Sequence, residues 1–444
     1  MTTDGNEEAG RLCYNSGYIK SKKMAETINL TNQIEKQLPA ELVEFMQVAG
    51  LVASKQGQKL YLVGGVVRDL LLRRGNLDLD LVVEGNAINL AQRLADTFPG
   101  EIVTHPRFNT AKLKWNNWSI DLATARSETY AKPGALPAVK PGSLPDDLFR
   151  RDFTINSMAT ELIPSRYGQL IDLYGGRNDL ERKLIRILHE RSFIDDATRI
   201  WRALRYEQRL DFQLEPDTLE LLKRDIPVLD TISSDRIRHE LELILKEECP
   251  EKVICRADEL GVLPELHPAL KGDYWLADKF GQAHSSNLPL SGLYMALLAY
   301  RLTNRENEEL ISRLRVSKPL ALTLRDGNSL KAGLDSLADP ELPPSRIYSL
   351  LHEYSPTAIT ANALACHSPT ARQHMQTFLT KLRYVKPALT GNDLKKMGIA
   401  PGPQMKEILR RLHETRLNGK VKTKQGEKEM VEGWIASFPT TPPA

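Results

Sequence analysis

The chain has 444 residues, enough for two to four domains and a sizeable core. It is 41% hydrophobic and 26% charged, with a formal net charge of +3. That balance excludes a globally basic nucleic-acid coat and leaves only local basic surfaces. The four cysteines (Cys13, Cys249, Cys255 and Cys366) form no CxxC pair. They suit a reducing, cytoplasmic setting, with neither a disulfide framework nor a zinc site. No apolar run reaches membrane-spanning length. Residues 1–27 are polar and of mixed charge, and read as a disordered leader.

Residues 28–50 predict one or two helices, with Leu42, Val43, Phe45, Met46 and Ala49 on the apolar side. Leu60–Val63 is a short apolar strand, and Gly64 and Gly65 follow it at once. Val66–Arg74 has helical spacing and is expected to stop near Gly75–Asn76. A strand, a glycine turn and a helix start aim backbone N–H groups outward, where an anion is welcome. Arg68 sits one turn in and can clamp a phosphate.

Leu77–Val83 alternates strictly, so Asp78 and Asp80 share one face of a strand. Two adjacent carboxylates repel unless a cation lies between them, and oxygen-only ligands suit Mg²⁺ carried with a triphosphate. A double glycine or an Asp-x-Asp alone is usually a turn or a wet strand end. The ordered run of strand, glycines, helix and acidic strand is more telling.

Asn86 is a good N-cap for the helical spacing of Ala87, Leu90, Ala91, Leu94 and Phe98. Strands are expected at 101–104, 110–115 and 118–123, the last offering a third carboxylate, Asp121, toward the pair. A strand-end charge is an equal reading of Asp121. Residues 126–147 are rich in Pro and Gly and predict a long loop, neither helix nor central strand. Arg150–Ala159, RRDFTINSMA, puts two arginines where triphosphate or ribose contacts are plausible.

In Asp195–Tyr206, DDATRIWRALRY, the acids begin a helix, and Arg199, Arg202 and Arg205 wind round it. Helices are expected at roughly 215–247, 251–262, 288–303, 307–315, 341–354, 370–383 and 403–418. Lys381–Lys428 carries more Lys and Arg than acids, a candidate RNA-backbone surface or simply a solvated helix face.

The runs GGVVRD, LDLDLV, RRDFTINSMA and DDATRIWRALR, in that order, resemble the class II tRNA nucleotidyltransferase and bacterial poly(A) polymerase family. The resemblance runs from about Tyr61 to Phe212, continues through Ser234–Ile237 and returns weakly at LTGNDL and PGP. It implies an α+β fold: a small mixed β-sheet nucleotidyltransferase head, then an all-helical neck, body and tail. The boundaries it suggests are 28–180, 181–250, 251–365 and 366–444.

By motif, the resemblance implies that Gly65 and Arg68 meet the incoming nucleotide, with Asp78 and Asp80 holding Mg²⁺; Gly64 at the turn and Asp121 on the neighbouring strand are candidates from the residues themselves. Arg151 and Asp152 would contact phosphates and sugar. Asp196, Arg199, Arg202 and Arg205 would read the base. Arg73 stands where the family often has glycine, and Asp195 where it usually has Glu. The implied activity is addition of the 3′-terminal CCA to tRNA from CTP and ATP, in whole or in part. Poly(A) polymerase and a non-catalytic RNA-binding protein are the further alternatives. Members that add only CC are shortened in the loop before RRDF, and residues 126–147 do not look shortened.

Overall fold

A computed structural model describes residues 28–284 and 289–437, so the expected leader at 1–27 lies outside the described residues. Two units emerge. The first comprises residues 28–129 and 139–182; the second comprises 130–138 and 183–437. Among the described residues, no helix is long and apolar enough to cross a membrane.

The first unit opens with α1 (Thr31–Gln37) and α2 (Ala40–Lys55), then β1 (Lys59–Val63), α3 (Gly65–Leu72), β2 (Leu79–Glu84) and α4 (Ala87–Thr97). Next come β3 (Glu101–His105), β4 (Thr110–Trp115) and β5 (Trp118–Thr124). Asn86 caps α4 as expected, its side chain accepting from Asn89 N–H. After β6 (Arg126–Thr129), β7 (Ala138–Pro141) and α5 (Leu144–Phe149), the chain forms β8 (Met158–Glu161), β9 (Leu170–Asp172) and α6 (Gly176–Glu181). Seven strands make one mixed sheet in the order β3-β4-β5-β2-β1-β8-β9. Within it β2 and β5 run parallel, and β1, β4 and β8 pair with their neighbours antiparallel. The aromatic group Phe45, Phe98 and Trp115 ties α2 and the end of α4 to β4, with ring centroids 4.8–6.0 Å apart.

Two expectations need correction here. The helix after the glycines stops at Leu72, short of Gly75, because Arg73 takes a left-handed conformation, φ 55°. Arg73 N–H bonds Leu70 O, and Arg74 N–H bonds Asp69 O, closing the last turn. A non-glycine residue there costs about 1 kcal/mol. Residues 126–147 are also not all loop. The hairpin β6–β7 stands apart from the main sheet, and α5 starts at Leu144. Pro145 falls in the first turn, where a missing N–H costs nothing, and Ser143 with Asp146 forms a capping box.

Among the described residues 183–437, the second unit is helical and loop but for one short parallel strand pair, Leu184–Ile185 with Gln213–Leu214. α7 (Ser192–Asp195) and α8 (Thr198–Leu210) lead it. The helix expected over 215–247 is broken: Pro216–Asp225 and Ser234–Ile244 flank a 3₁₀ segment, Ile226–Thr231, that contains Pro227. Helices at Tyr274–Ala283, Lys318–Ala332, Pro356–Ala365, Gly391–Lys396 and Lys424–Ser437 fall between the individual ranges expected, within a remainder expected to be all helical. Two further apolar clusters mark this unit. One is centred on Leu351, Ile359 and Met375, the other on Leu394, Leu412 and Val431. In the latter, fully buried Glu427 accepts from Ala388 N–H (3.0 Å), Leu389 N–H (2.7 Å) and Arg416 Nη1 (2.5 Å).

Candidate active site

β1 delivers the chain to Gly64, which sits at φ 79° and opens α3. A Cβ at residue 64 would lie 2.8 Å from Arg151 Nη1 and 3.5 Å from Asp80 Oδ2. The glycine turn, the second arginine of RRDF and the second acid of Asp-x-Asp therefore converge on one point. Only a residue without a side chain leaves that point open.

The acidic strand begins at Leu79, so Asp78 falls just before it. Asn76 fixes that approach, accepting Asp78 N–H (2.9 Å) while donating to Asp69 Oδ2 (2.7 Å). Asp121 stands directly opposite Asp80 across the parallel β2–β5 pair. Asp78, Asp80 and Asp121 each offer a carboxylate oxygen within 4.8 Å of the others. The even choice for Asp121 is thereby narrowed: it stands with the pair, not at a solitary strand end. Such a set of hard oxygens fits a divalent cation. Burial, with help from Asp78 and Asp121, pushes the Asp80 carboxyl up to about 6, against the pull of Arg151 and Lys112. Lys112 lies opposite Asp121 on β4, its Nζ 2.9 Å from Asp121 Oδ2.

The arginines are held by acids of their own. Fully buried Asp147 accepts from Arg150 Nε (3.0 Å) and Nη2 (2.7 Å) on one oxygen, and from Arg151 Nη2 (3.1 Å) on the other. Burial alone would raise the Asp147 carboxyl, but Arg151 and Arg150 outweigh it and hold it low. Arg151 Nε is buried with no hydrogen-bond partner, a donor to spare beside the triad.

Arg68 is placed differently from a surface clamp. It is buried, giving Nε and Nη2 to Asp69 (2.8 Å each) and Nη1 to Asn156 Oδ1 (2.7 Å). Asn156 in turn donates to Asp152 Oδ1 (2.9 Å), which also accepts Phe153 N–H (2.9 Å). Gly65, Arg68 and Asp152 thus belong to one brace joining α3 to the RRDF turn, with Gly65 Cβ space 3.5 Å from Arg68 Nη2.

In the second unit, Asp196 precedes α8 in extended conformation. Its Oδ1 accepts from Thr198 N–H (3.1 Å), Thr198 Oγ1 (2.7 Å) and Arg236 Nη2 (2.6 Å). Arg199 is buried and donates to Ser192 O (3.4 Å). Arg202 and Arg205 each lie 3.7 Å from a carboxylate oxygen of buried Glu240, and both guanidiniums approach the Tyr206 ring. Burial first, then Arg199 and Arg191, hold the His189 imidazole down at about 4.

Sequence reasoning missed Lys112, Asn156, Arg236 and Glu240. Lys112 was within reach: the two-residue turn Asn116–Asn117 between Trp115 and Trp118 sets a register that puts Lys112 opposite Asp121. Arg236 lies in the Ser234–Ile237 run that the resemblance covers, without a role attached to it, and Glu240, on the same separate helix, carries no local signal.

A mixed sheet with an acidic triad beside a glycine turn, followed by helices, defines a nucleotidyltransferase. Residues 60–186 match the family described as poly A polymerase head domain. Residues 211–273 match a probable RNA and SrmB-binding site of polymerase A. The A-adding tRNA nucleotidyltransferase of Halalkalibacterium halodurans is 32% identical over 89% of this chain and 93% of its own. That of Geobacter sulfurreducens is 34% identical over 90% of this chain, which spans only 48% of the relative's length. The solved Thermotoga maritima CCA-adding enzyme complexed with tRNA shares 30% identity and a TM-score of 0.75, over 92% of this chain and 99% of that one. The chain belongs to the tRNA nucleotidyltransferase and poly(A) polymerase family.

Proposed function

We propose that this protein extends the 3′ end of tRNA without a nucleic-acid template, using CTP and ATP to build CCA in the cytoplasm. The observation that carries the reading is the meeting of Asp78, Asp80 and Asp121 beside the Gly64 turn and Arg151. The three carboxylates would hold Mg²⁺, which supplies Lewis acidity toward the RNA 3′-hydroxyl and the departing pyrophosphate. Gly64 leaves room for the triphosphate. Arg151, steadied by Asp147 and with Nε unspent, orients it. The Arg68–Asn156–Asp152 brace keeps the helix start and the RRDF turn in register.

Base choice falls to the unit that holds Asp196. Cytosine and adenine both present an exocyclic amine beside a ring-nitrogen acceptor, whereas uracil and guanine put a carbonyl where the amine would be. A carboxylate accepts and a guanidinium donates. All three donors to Asp196 fall on Oδ1, which leaves Oδ2 to accept the amine, with Arg199 giving to the ring nitrogen. A carbonyl facing Oδ2 would leave buried acceptors unpaired, at roughly 1–3 kcal/mol each. We assign residues 28–180 to the head, 181–250 to a base-reading neck, 251–365 to a body and 366–444 to a tRNA-gripping tail.

A second reading is addition of the final A alone. It is favoured because both curated relatives described above are named A-adding. One experiment decides. The full chain is incubated with tRNA lacking CCA, with tRNA lacking only the A, and with an unrelated RNA, each given CTP, ATP or both. Extension of the first by CCA supports the main reading. Extension of the second alone supports the other. CC-only products or long A tails on any RNA overturn both.

A further inference from the structure

Three strands line up one charged row. Lys112 on β4 faces Asp121 on β5, and Asp121 faces Asp80 on β2, so all three side chains emerge on the same side of the sheet. The Lys112–Asp121 ion pair, at 2.9 Å, ends directly on a triad carboxylate. Arg151, the other nearby cation, spends a donor on Asp147 instead. The two cations therefore hold different posts. Arg151 stands over the glycine turn, on the side given to the nucleotide. Lys112 stands at the far end of the acidic row and pairs with a carboxylate that a metal would also want.

We infer that Lys112 is a positioning residue that latches Asp121: its ammonium holds Oδ2 until a divalent cation displaces it, and so sets how tightly the triad takes its metal. The inference rests on the reading of Asp78, Asp80 and Asp121 as the metal holders. Its physics is a competition. An ammonium and a hard divalent cation seek the same carboxylate, and the lysine's charge also repels the incoming ion. In the metal-free protein the same ammonium offsets repulsion among three clustered carboxylates. Both the lysine and the acid are half-exposed, so the effect is moderate and screened by salt. With a cation bound, Asp121 would serve it and Lys112 would be free to face solvent or substrate phosphate.

The test uses the full chain with Mg²⁺ alone, reading thermal denaturation across a Mg²⁺ titration without nucleotide or RNA. Lys112→Ala is expected to melt lower without metal and to shift the Mg²⁺ midpoint down about fivefold. Lys112→Arg keeps the charge and is expected to stay near the parent protein. In an Asp121→Asn background the same Lys112→Ala change is expected to move the midpoint by less than about twofold, since the latch has lost its acid. Lys112→Gln repeats the measurement if the alanine variant does not fold. A midpoint that stays put or rises in Lys112→Ala, while the parent responds normally, overturns the latch. So does an equal gain in the Asp121→Asn background. A parent protein blind to Mg²⁺ would instead bring down the metal reading beneath it.

Discussion

Gly64 and Arg151 lie so close that the smallest side chain at residue 64 would press on the arginine's Nη1 at 2.8 Å. The arginine cannot simply swing aside, because Asp147 holds its Nη2 at 3.1 Å. Gly64→Ala is therefore expected to cut incorporation at least tenfold, through weaker nucleotide binding, and its φ 79°, ψ −141° backbone adds roughly 1–3 kcal/mol of strain. Steady-state kinetics beside a melting curve will check this. A variant with normal nucleotide KM would show that the crowding is harmless.

Asp80 has the sharpest expected phenotype. Asp80→Ala should abolish incorporation on a gel while equilibrium dialysis still detects weak nucleotide binding. The strand itself should survive, since its buried residues are Leu79, Leu81, Val82 and Val83. Measurable turnover in this variant would detach the triad from the chemistry.

The raised Asp80 carboxyl should make the proposed metal uptake pH-dependent. Its folded value of about 6 exceeds the ordinary carboxylate value, so the metal-free fold is steadier below pH 4 on this account and loses that increment as pH rises through 6. Mg²⁺ needs the ionised form, so its stabilisation should be full at pH 7.5 and fade as pH falls below about 6. Melting temperatures with and without Mg²⁺ from pH 5 to 8 measure the difference. A constant Mg²⁺ increment across that range would contradict it.

Base selection should fail gracefully. Asp196→Ala removes the acceptor and is expected to raise UTP incorporation relative to CTP and ATP by roughly 5- to 150-fold, the equivalent of one lost discrimination of about 1–3 kcal/mol. Arg236→Ala, which only loosens Oδ1, should show a smaller shift in the same direction. Unchanged discrimination in the aspartate variant would move the reading of the base elsewhere.

Glu427 offers a stability test in the tail. Its truncation would strand two backbone N–H groups and the Arg416 guanidinium. Roughly 3–5 kcal/mol of local stability is at stake. Limited proteolysis of Glu427→Ala should open cleavage sites within residues 386–437 before any others. If the cleavage pattern matches that of the parent protein, the buried acid is less central than its bonds suggest.

How much of this was legible beforehand depends on the range of the interaction. The Asp-x-Asp strand and the Asn86 cap follow from spacing within a few residues, whereas the Asp147 pairs with Arg150 and Arg151 depend on the short helix that ends the expected loop. The family resemblance supplied the order of the head and the helical remainder. Arg73 hid a helix end because arginine rarely takes a left-handed turn. Pro145 disguised a helix start, since proline breaks helices everywhere except their first turn. The seam between β2 and β5, and the arrival of Arg236 and Glu240 beside α8, are long-range pairings with no periodic trace in the chain.

That seam has a bearing on birth as well as on work. Asp80 and Asp121 become neighbours only after everything from Gly85 to Asn117 has crossed over and settled, including α4 and the β3–β4 hairpin. A loop of that length must close before its reward is felt. A polypeptide still emerging from the ribosome, with β2 made and β5 unmade, would own half of the proposed metal cradle and no power to use it. Competence arrives late, and all at once.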